Sequence, residues 1–277
     1  MHTRKSYRIF QIDAFTDVLF KGNPAAVVPW SGEWLPDKIL IQIAAENNLA
    51  ETAFFRPRAL PGEYDLRWFT PKVEVDLCGH ATLATAYSIF ECGADQEGQD
   101  FVSQIDTLRF FTKSGIMQVR QKGEMLYLDF PSYKTQEMQI SDLMLDCFES
   151  RPREVLESRS AVFIFKDETE LRNLKPNFEA IKNIPFPSII ATAPADSKNE
   201  YDFVSRYFAP AKGIPEDPVT GSAHCTLIPL WSKRLGKSKL LAFQASERGG
   251  LLICEDLGER VSIGGSCAFY LKGEFYL

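Results

Sequence analysis

The chain has 277 residues, 45% hydrophobic and 25% charged, with a formal net charge of −6 and a pI of about 5.3. At roughly 150 residues per domain this length suggests two domains or one large one. The acidic balance argues against nucleic acid, since no basic excess exists to neutralise phosphates, but it leaves room for one local anion site.

The N-terminal stretch from Met1 to Gln11 is polar and basic, then mixed, and lacks the apolar core of a secretory signal. No apolar run approaches the ~20 residues of a membrane span. Six cysteines (Cys78, Cys92, Cys147, Cys225, Cys254, Cys267) are scattered without a Cys-x-x-Cys pair, so neither a zinc site nor a disulfide framework is expected. The three histidines, His2, His80 and His224, are too dispersed to suggest a metal centre. These features point to a cytoplasmic protein with reduced thiols, and to no membrane or nucleic-acid partner.

In chain order, Tyr7–Phe15 alternates loosely and predicts a strand. Gly22-Asn23-Pro24 is a turn signal before a second strand, Ala25–Pro29. The segment from Pro36 to Asn48 predicts a helix: Pro-Asp suits a first turn, and Ile39, Leu40, Ile43 and Ala44 keep helical spacing. Glu51 then opens an apolar strand, where alternation places it on one face with Ala53 and Phe55. A carboxylate on an apolar face is expected to have a raised pKa, which suits a general acid/base; the competing reading is an edge position with Glu51 in solvent. Gly79–Cys92 is apolar nearly all round (Ala81, Leu83, Ala84, Ala86, Tyr87, Ile89, Phe90) and predicts a buried helix. Leu108–Thr112, Ile116–Gln121 and Met125–Phe130, separated by Lys113-Ser114-Gly115 and Lys122-Gly123-Glu124, predict a meander. Ser222–Leu235 reads as a second buried helix, kinked at Pro229. Leu251–Glu255, Arg260–Ile263 and Ala268–Lys272 return to strand character.

Arg67-Trp68-Phe69-Thr70-Pro71 is echoed by Arg206-Tyr207-Phe208-Ala209-Pro210. Each leads through a charged loop, to Cys78-Gly79-His80-Ala81 and to Thr220-Gly221-Ser222-Ala223, and then into an apolar helix. The shared order implies a duplicated strand–loop–buried-helix unit, hence an α+β architecture of two sheets, each wrapped around one buried helix. His80 and Ser222 occupy equivalent places, each after a glycine at a helix start. Such ends offer N–H groups and partial positive charge to a carboxylate, and Gly79 and Gly221 allow close approach. Ordinary capping by Ser222, Thr220 and Asp217 is the rival reading. For His80 the rival is a satisfied core histidine, and Asp217 before Pro218 also suits a structural turn.

Four stretches together resemble the phenazine-biosynthesis (PhzF-like) isomerase family. They are Asp13-Ala14-Phe15 with Gly22-Asn23-Pro24; Asn48-Leu49-Ala50-Glu51-Thr52-Ala53-Phe54; Phe69-Thr70-Pro71 leading to Cys78-Gly79-His80-Ala81-Thr82; and Gly213-Ile214-Pro215-Glu216-Asp217-Pro218-Val219-Thr220-Gly221-Ser222-Ala223. The last is long and specific, and the set covers most of the chain. The resemblance implies a diaminopimelate epimerase-like fold. Its two pseudo-symmetric domains, each a β-barrel wrapped around a central α-helix, would hold the site between them. Residues 1–118 with 263–277 would form the first domain and 119–262 the second. It further implies a homodimer, no cofactor and a small anionic substrate; the named member isomerises a dihydro-hydroxyanthranilate by a proton shift. Glu51 would carry the proton, His80 and Asp217 would act with it, and Gly79, Gly221 and Ser222 would bind substrate.

The expected activity is a cofactor-independent isomerisation moving a proton within a small carboxylate-bearing unsaturated or cyclic acid. One alternative is an amino-acid racemase or epimerase using Cys78. In the epimerase two cysteines precede the helix-start glycines; here the pair is Cys78 and Thr220, and a threonine hydroxyl is too weak an acid to replace a thiol without an extra base. Another alternative is a small-acid-binding or regulatory protein that has lost turnover.

Overall fold

The computed structural model describes residues 5–94 and 105–277; His2 lies outside them. The chain divides into two compact units, Met1–Asp129 with Gly264–Leu277, and Phe130–Ile263.

In the first unit β1 (Ser6–Ala14), β2 (Asn23–Pro29), α1 (Asp37–Asn47), β3 (Glu51–Pro57), β4 (Glu63–Phe69), β5 (Glu74–Val75), α2 (Gly79–Phe90), β6 (Thr107–Thr112), β7 (Gly115–Lys122) and β8 (Met125–Pro131) follow in order. The sheet is mixed. β1 to β2, β3 to β4, and the β6–β7–β8 meander are antiparallel, whereas β2–β3 and β4–β6 are parallel. The parallel pairs arise because α1 and α2 supply the crossovers that such pairing requires. The chain's last strand, β18 (Cys267–Tyr276), pairs antiparallel with β1.

α2 packs on β1, β2 and β3, and nine of its twelve residues are buried. Its polar positions are compatible with that burial because they bond to their own helix. Thr82 Oγ1 donates to Cys78 O (2.6 Å), Thr85 Oγ1 to Ala81 O (2.7 Å) and Ser88 Oγ to Thr85 O (2.7 Å). Burying a side chain such as Leu83 or Ile89 contributes about 1.5–3 kcal/mol.

The second unit runs through β9 (Gln136–Glu137), α3 (Asp142–Leu145), β10 (Glu154–Glu157), β11 (Ala161–Ile164), α4 (Glu168–Arg172), α5 (Phe178–Asn183), β12 (Ile189–Pro194), β13 (Phe203–Ala209), β14 (Ile214–Asp217), α6 (Gly221–Leu235), β15 (Lys239–Gln244), β16 (Gly250–Asp256) and β17 (Arg260–Gly265). Parallel pairs β11–β12 and β13–β15 again bracket helical crossovers. Phe148, Phe163, Phe165 and Phe208 anchor its core. α6 continues through Pro229. A proline there removes the bond to the carbonyl four residues back, and that carbonyl, of Cys225, accepts instead from Tyr133 N–H at 2.9 Å.

The internal repeat has a structural counterpart. Arg67 holds Glu74 through Nε and an NH2 group, and Arg206 holds Glu216 the same way, at 2.8–2.9 Å. Each guanidinium also lies over the phenylalanine two residues on, Phe69 or Phe208. Both units thus tie the strand before the loop to the short strand after it. The units divide at Asp129/Phe130, near the end of β8, whereas the boundary read from sequence, 118/119, falls inside β7. That strand belongs to the first unit because its hairpins with β6 and β8 keep it there. No helix among the described residues is long and apolar enough to cross a membrane. All six cysteines are free thiols.

Candidate active site

In the first unit two elements converge. β3 lies between β2 and β4, so Glu51 at its start is not on an edge strand; it pairs in register with Ala25 and is only 9% exposed. His80 is the second residue of α2 and is buried. Its Nε2 lies 3.2 Å from Glu51 Oε2, although the approach is not an aligned hydrogen bond for the imidazole.

The other ring nitrogen shows which tautomer is present. Asn23 Nδ2 lies 3.3 Å from His80 Nδ1, and Cys78 Sγ lies 3.5 Å from the same atom. With the Asn23 amide NH2 turned to Nδ1, the ring proton is assigned to Nε2, toward Glu51. Burial pushes the imidazole pKa down to about 3. His80 is therefore a neutral donor beside the carboxylate at any ordinary working pH.

Asn23 was not singled out by sequence reasoning, but the motif that carries it explains its placement. Asp13 Oδ2 accepts from Phe20 N–H (2.9 Å), closing the loop after β1. Gly22 turns the chain at φ +62°, where a Cβ would stand 2.2 Å from the Ala14 carbonyl oxygen. The next residue, Asn23, enters β2 aimed at His80.

Glu51, Cys78 and His80 bring their ligand atoms within 4.8 Å of one another, a carboxylate, thiolate and imidazole set of the kind zinc accepts. The imidazole, however, turns Nε2 to Glu51 and Nδ1 to Cys78. An ion binds a single ring nitrogen, so one ion could take all three donors only after side chains re-aim. The observed array is one of proton donors and acceptors.

In the second unit Asp217 ends β14, opposite Tyr207 of β13, and is buried. Thr220 is the N-cap residue of α6, yet its side chain makes no capping bond; the hydroxyl donates to Asp217 Oδ2 instead. Thr220 N–H donates to Gln244 Oε1 (2.8 Å), and Gln244 Nε2 donates to the Asp217 carbonyl (2.8 Å) and to Thr220 Oγ1 (3.2 Å). His224 Nδ1 donates to the Thr220 carbonyl (2.9 Å), and burial lowers its pKa to about 4. Ser246 Oγ donates to the Pro218 carbonyl (2.7 Å). Ser222 is exposed on the first turn of α6, and Gly221 is buried at its start. Neither α2 nor α6 has a side-chain N-cap bond, so the ordinary-capping reading of Thr220 does not hold. Gly79, partly exposed, opens α2 as Gly221 opens α6.

The structure thus brings Glu51 together with His80 and, separately, Asp217 together with Thr220. Asn23 and Gln244 are the buried polar residues that sequence reasoning missed. A buried glutamine with three hydrogen bonds carries no local motif, and its role depends on partners 24 and 27 residues away.

Comparison with known proteins identifies the family. A model of the phenazine biosynthesis-like protein family, PhzC-PhzF, matches residues 12–273. An uncharacterized isomerase of Pseudomonas aeruginosa is 45% identical over 97% of this chain and 98% of its own length. The crystal structure of a PhzF-family phenazine biosynthesis protein from Enterococcus faecalis superposes with a TM-score of 0.90 at 43% identity, covering 99% of this chain and 100% of that one. A hydroxyproline epimerase from Agrobacterium vitis shares the fold alone, with a TM-score of 0.63 at 11% identity over 100% of this chain and 93% of that one. The chain belongs to the phenazine biosynthesis-like PhzC-PhzF family and is an isomerase of that family.

Proposed function

We propose that this isomerase moves a proton between two carbons of a small, carboxylate-bearing unsaturated or cyclic acid without a cofactor, with Glu51 as the single proton carrier. The observation that carries this reading is the buried Glu51 carboxylate beside a neutral His80 whose ring proton faces it. Glu51 takes a proton from one carbon as the C–H bond breaks. The electron pair passes into the conjugated system toward the substrate carboxylate or double bond, and the resulting acid returns the proton to a second carbon. His80 Nε2–H supports the carboxylate while it is charged. The helix starts at Gly79 and at Gly221–Ser222 are proposed anion-binding groups, since first-turn N–H groups lack intrahelical partners. Asp217 is a proposed orienting group.

The barrel description belongs to the same proposal: each sheet would close around its central helix, α2 or α6. What supports it is burial on nearly every side of α2 and along most of α6. A homodimer is also part of it, and light scattering should then give about twice the 31.3 kDa chain mass.

The test is isotopic. Candidate cyclic and unsaturated acids are pooled with the protein in deuterium oxide and searched by mass spectrometry for a gain of one deuterium. At least one acid should be labelled. If a ligand that co-purifies with the protein is bound but never labelled, the protein is a binder and the proposal fails.

A further inference from the structure

The Asp217–Thr220–Gln244 cluster contains enough fixed donors and acceptors to assign every proton in it. Gln244 is fully buried, and its amide can be oriented without ambiguity. One end accepts from a backbone N–H, that of Thr220, which can only donate; the other end donates to a backbone carbonyl, that of Asp217, which can only accept. The second hydrogen of the same NH2 group points at Thr220 Oγ1. Oγ1 is therefore an acceptor toward Gln244, and its own single hydrogen is directed to Asp217 Oδ2. The chain of direction runs from backbone to glutamine to hydroxyl to carboxylate, and no step can reverse without leaving a buried polar group unpaired.

We infer that Thr220 and Gln244 are positioning residues for the reaction, a two-step relay that fixes the rotamer of Asp217 and holds it as a carboxylate rather than a proton donor. This rests on the reading of Asp217 as part of the site. It also assigns Thr220 a task other than acid catalysis. The hydroxyl stands at the place in the repeat that Cys78 holds in the first unit, but it is engaged on both sides, by Gln244 and by Asp217. A second acid/base group of the two-thiol kind is therefore absent at this position. Tyr207, opposite Asp217 on β13, gives its hydroxyl hydrogen to Ser188 Oγ (2.9 Å), and the adjacent Glu216 is paired with Arg206.

The test does not need the substrate. The full-length protein is labelled with carboxyl-¹³C aspartate, Asp217 is assigned from the resonance lost in Asp217→Asn, and its titration is followed by NMR. A charge-assisted hydrogen bond of about 1.5–3 kcal/mol corresponds to roughly one to two pH units. Thr220→Val should raise the Asp217 midpoint by that amount, and Thr220→Ser, which keeps the hydroxyl, should restore it. Thr220→Ala and Gln244→Met provide the same reading should the valine variant fail to fold; each should shift the midpoint upward. A folded Thr220→Val or Thr220→Ala protein whose Asp217 titrates as in the wild type overturns the inference. Once an exchanged acid is known, Thr220→Val should lower kcat about 10- to 100-fold, the scale of a small misplacement, with KM little changed and with recovery in Thr220→Ser. Failure of proton exchange in the wild type would count against the proposed activity and leave the titration result standing, so the two readings fail separately.

Discussion

Cys78 sits at the N-cap of α2 and places its sulfur 3.5 Å from His80 Nδ1. Serine can place its hydroxyl there. Cys78→Ser should therefore retain most proton-exchange activity, measured as the initial labelling rate of an accepted acid. A loss beyond about 10³-fold in a folded variant, near the scale of a deleted acid/base group, would favour thiol chemistry and an epimerase. At this scale the sequence was informative where chemistry coincides with a local motif. Glu51 heads a strand, His80 and Ser222 follow helix-start glycines, and Asp217 precedes Pro218, so each could be singled out. Asn23 and Gln244 could not, because what makes them matter is a partner brought close by tertiary folding. The raised pKa expected for Glu51 from its apolar strand face also left out His80, which only the structure sets beside it.

The elements that deliver these groups were mostly legible. Period-two alternation and turn signals gave β1, β2 and the β6–β8 meander, and the apolar stretches gave α2 and α6, because burial leaves a direct trace in composition. The region from 150 to 210 was less legible. There β10 to β13 are short and buried on both faces, with strand Ala161–Ile164 entirely buried, so alternation vanishes. At Pro229 the Cys225 carbonyl freed in α6 accepts from Tyr133 N–H, a partner the sequence could not show. The turn before β2 gives a sharper test of how an element places a site residue. Gly22→Ala forces a Cβ against the Ala14 carbonyl at a positive φ, and the backbone must shift. We expect a stability loss of about 2 kcal/mol or more, above the ~1 kcal/mol usual for glycine replacement at positive φ because a backbone clash is added. Chemical denaturation measures it. Because Asn23 is the next residue, activity should fall further than stability alone explains.

For the whole molecule, His80 and His224 are two buried imidazoles with folded pKa values of about 3 and about 4, both depressed by burial below the ordinary 6.5. Above pH 6.5 both are neutral in folded and unfolded chains alike, and the fold has its full stability. As pH falls below 6.5 the unfolded chain binds protons that the folded one excludes. Stability should then drop by about 1.4 kcal/mol per pH unit for each histidine, down to about pH 4 for His224 and about pH 3 for His80. Thermal melting between pH 7.5 and 5 should show this fall, and His224→Gln should reduce its slope; an unchanged slope would mean the imidazole is charged in the fold. The same neutrality fits the proposal that Glu51, and not His80, carries the proton. The most direct measurement of that claim compares wild type and Glu51→Gln on an acid the wild type labels in deuterium oxide, with binding followed by calorimetry and folding by circular dichroism. The account predicts that Glu51→Gln still binds the acid and incorporates no deuterium; incorporation at the wild-type rate by folded Glu51→Gln would contradict it.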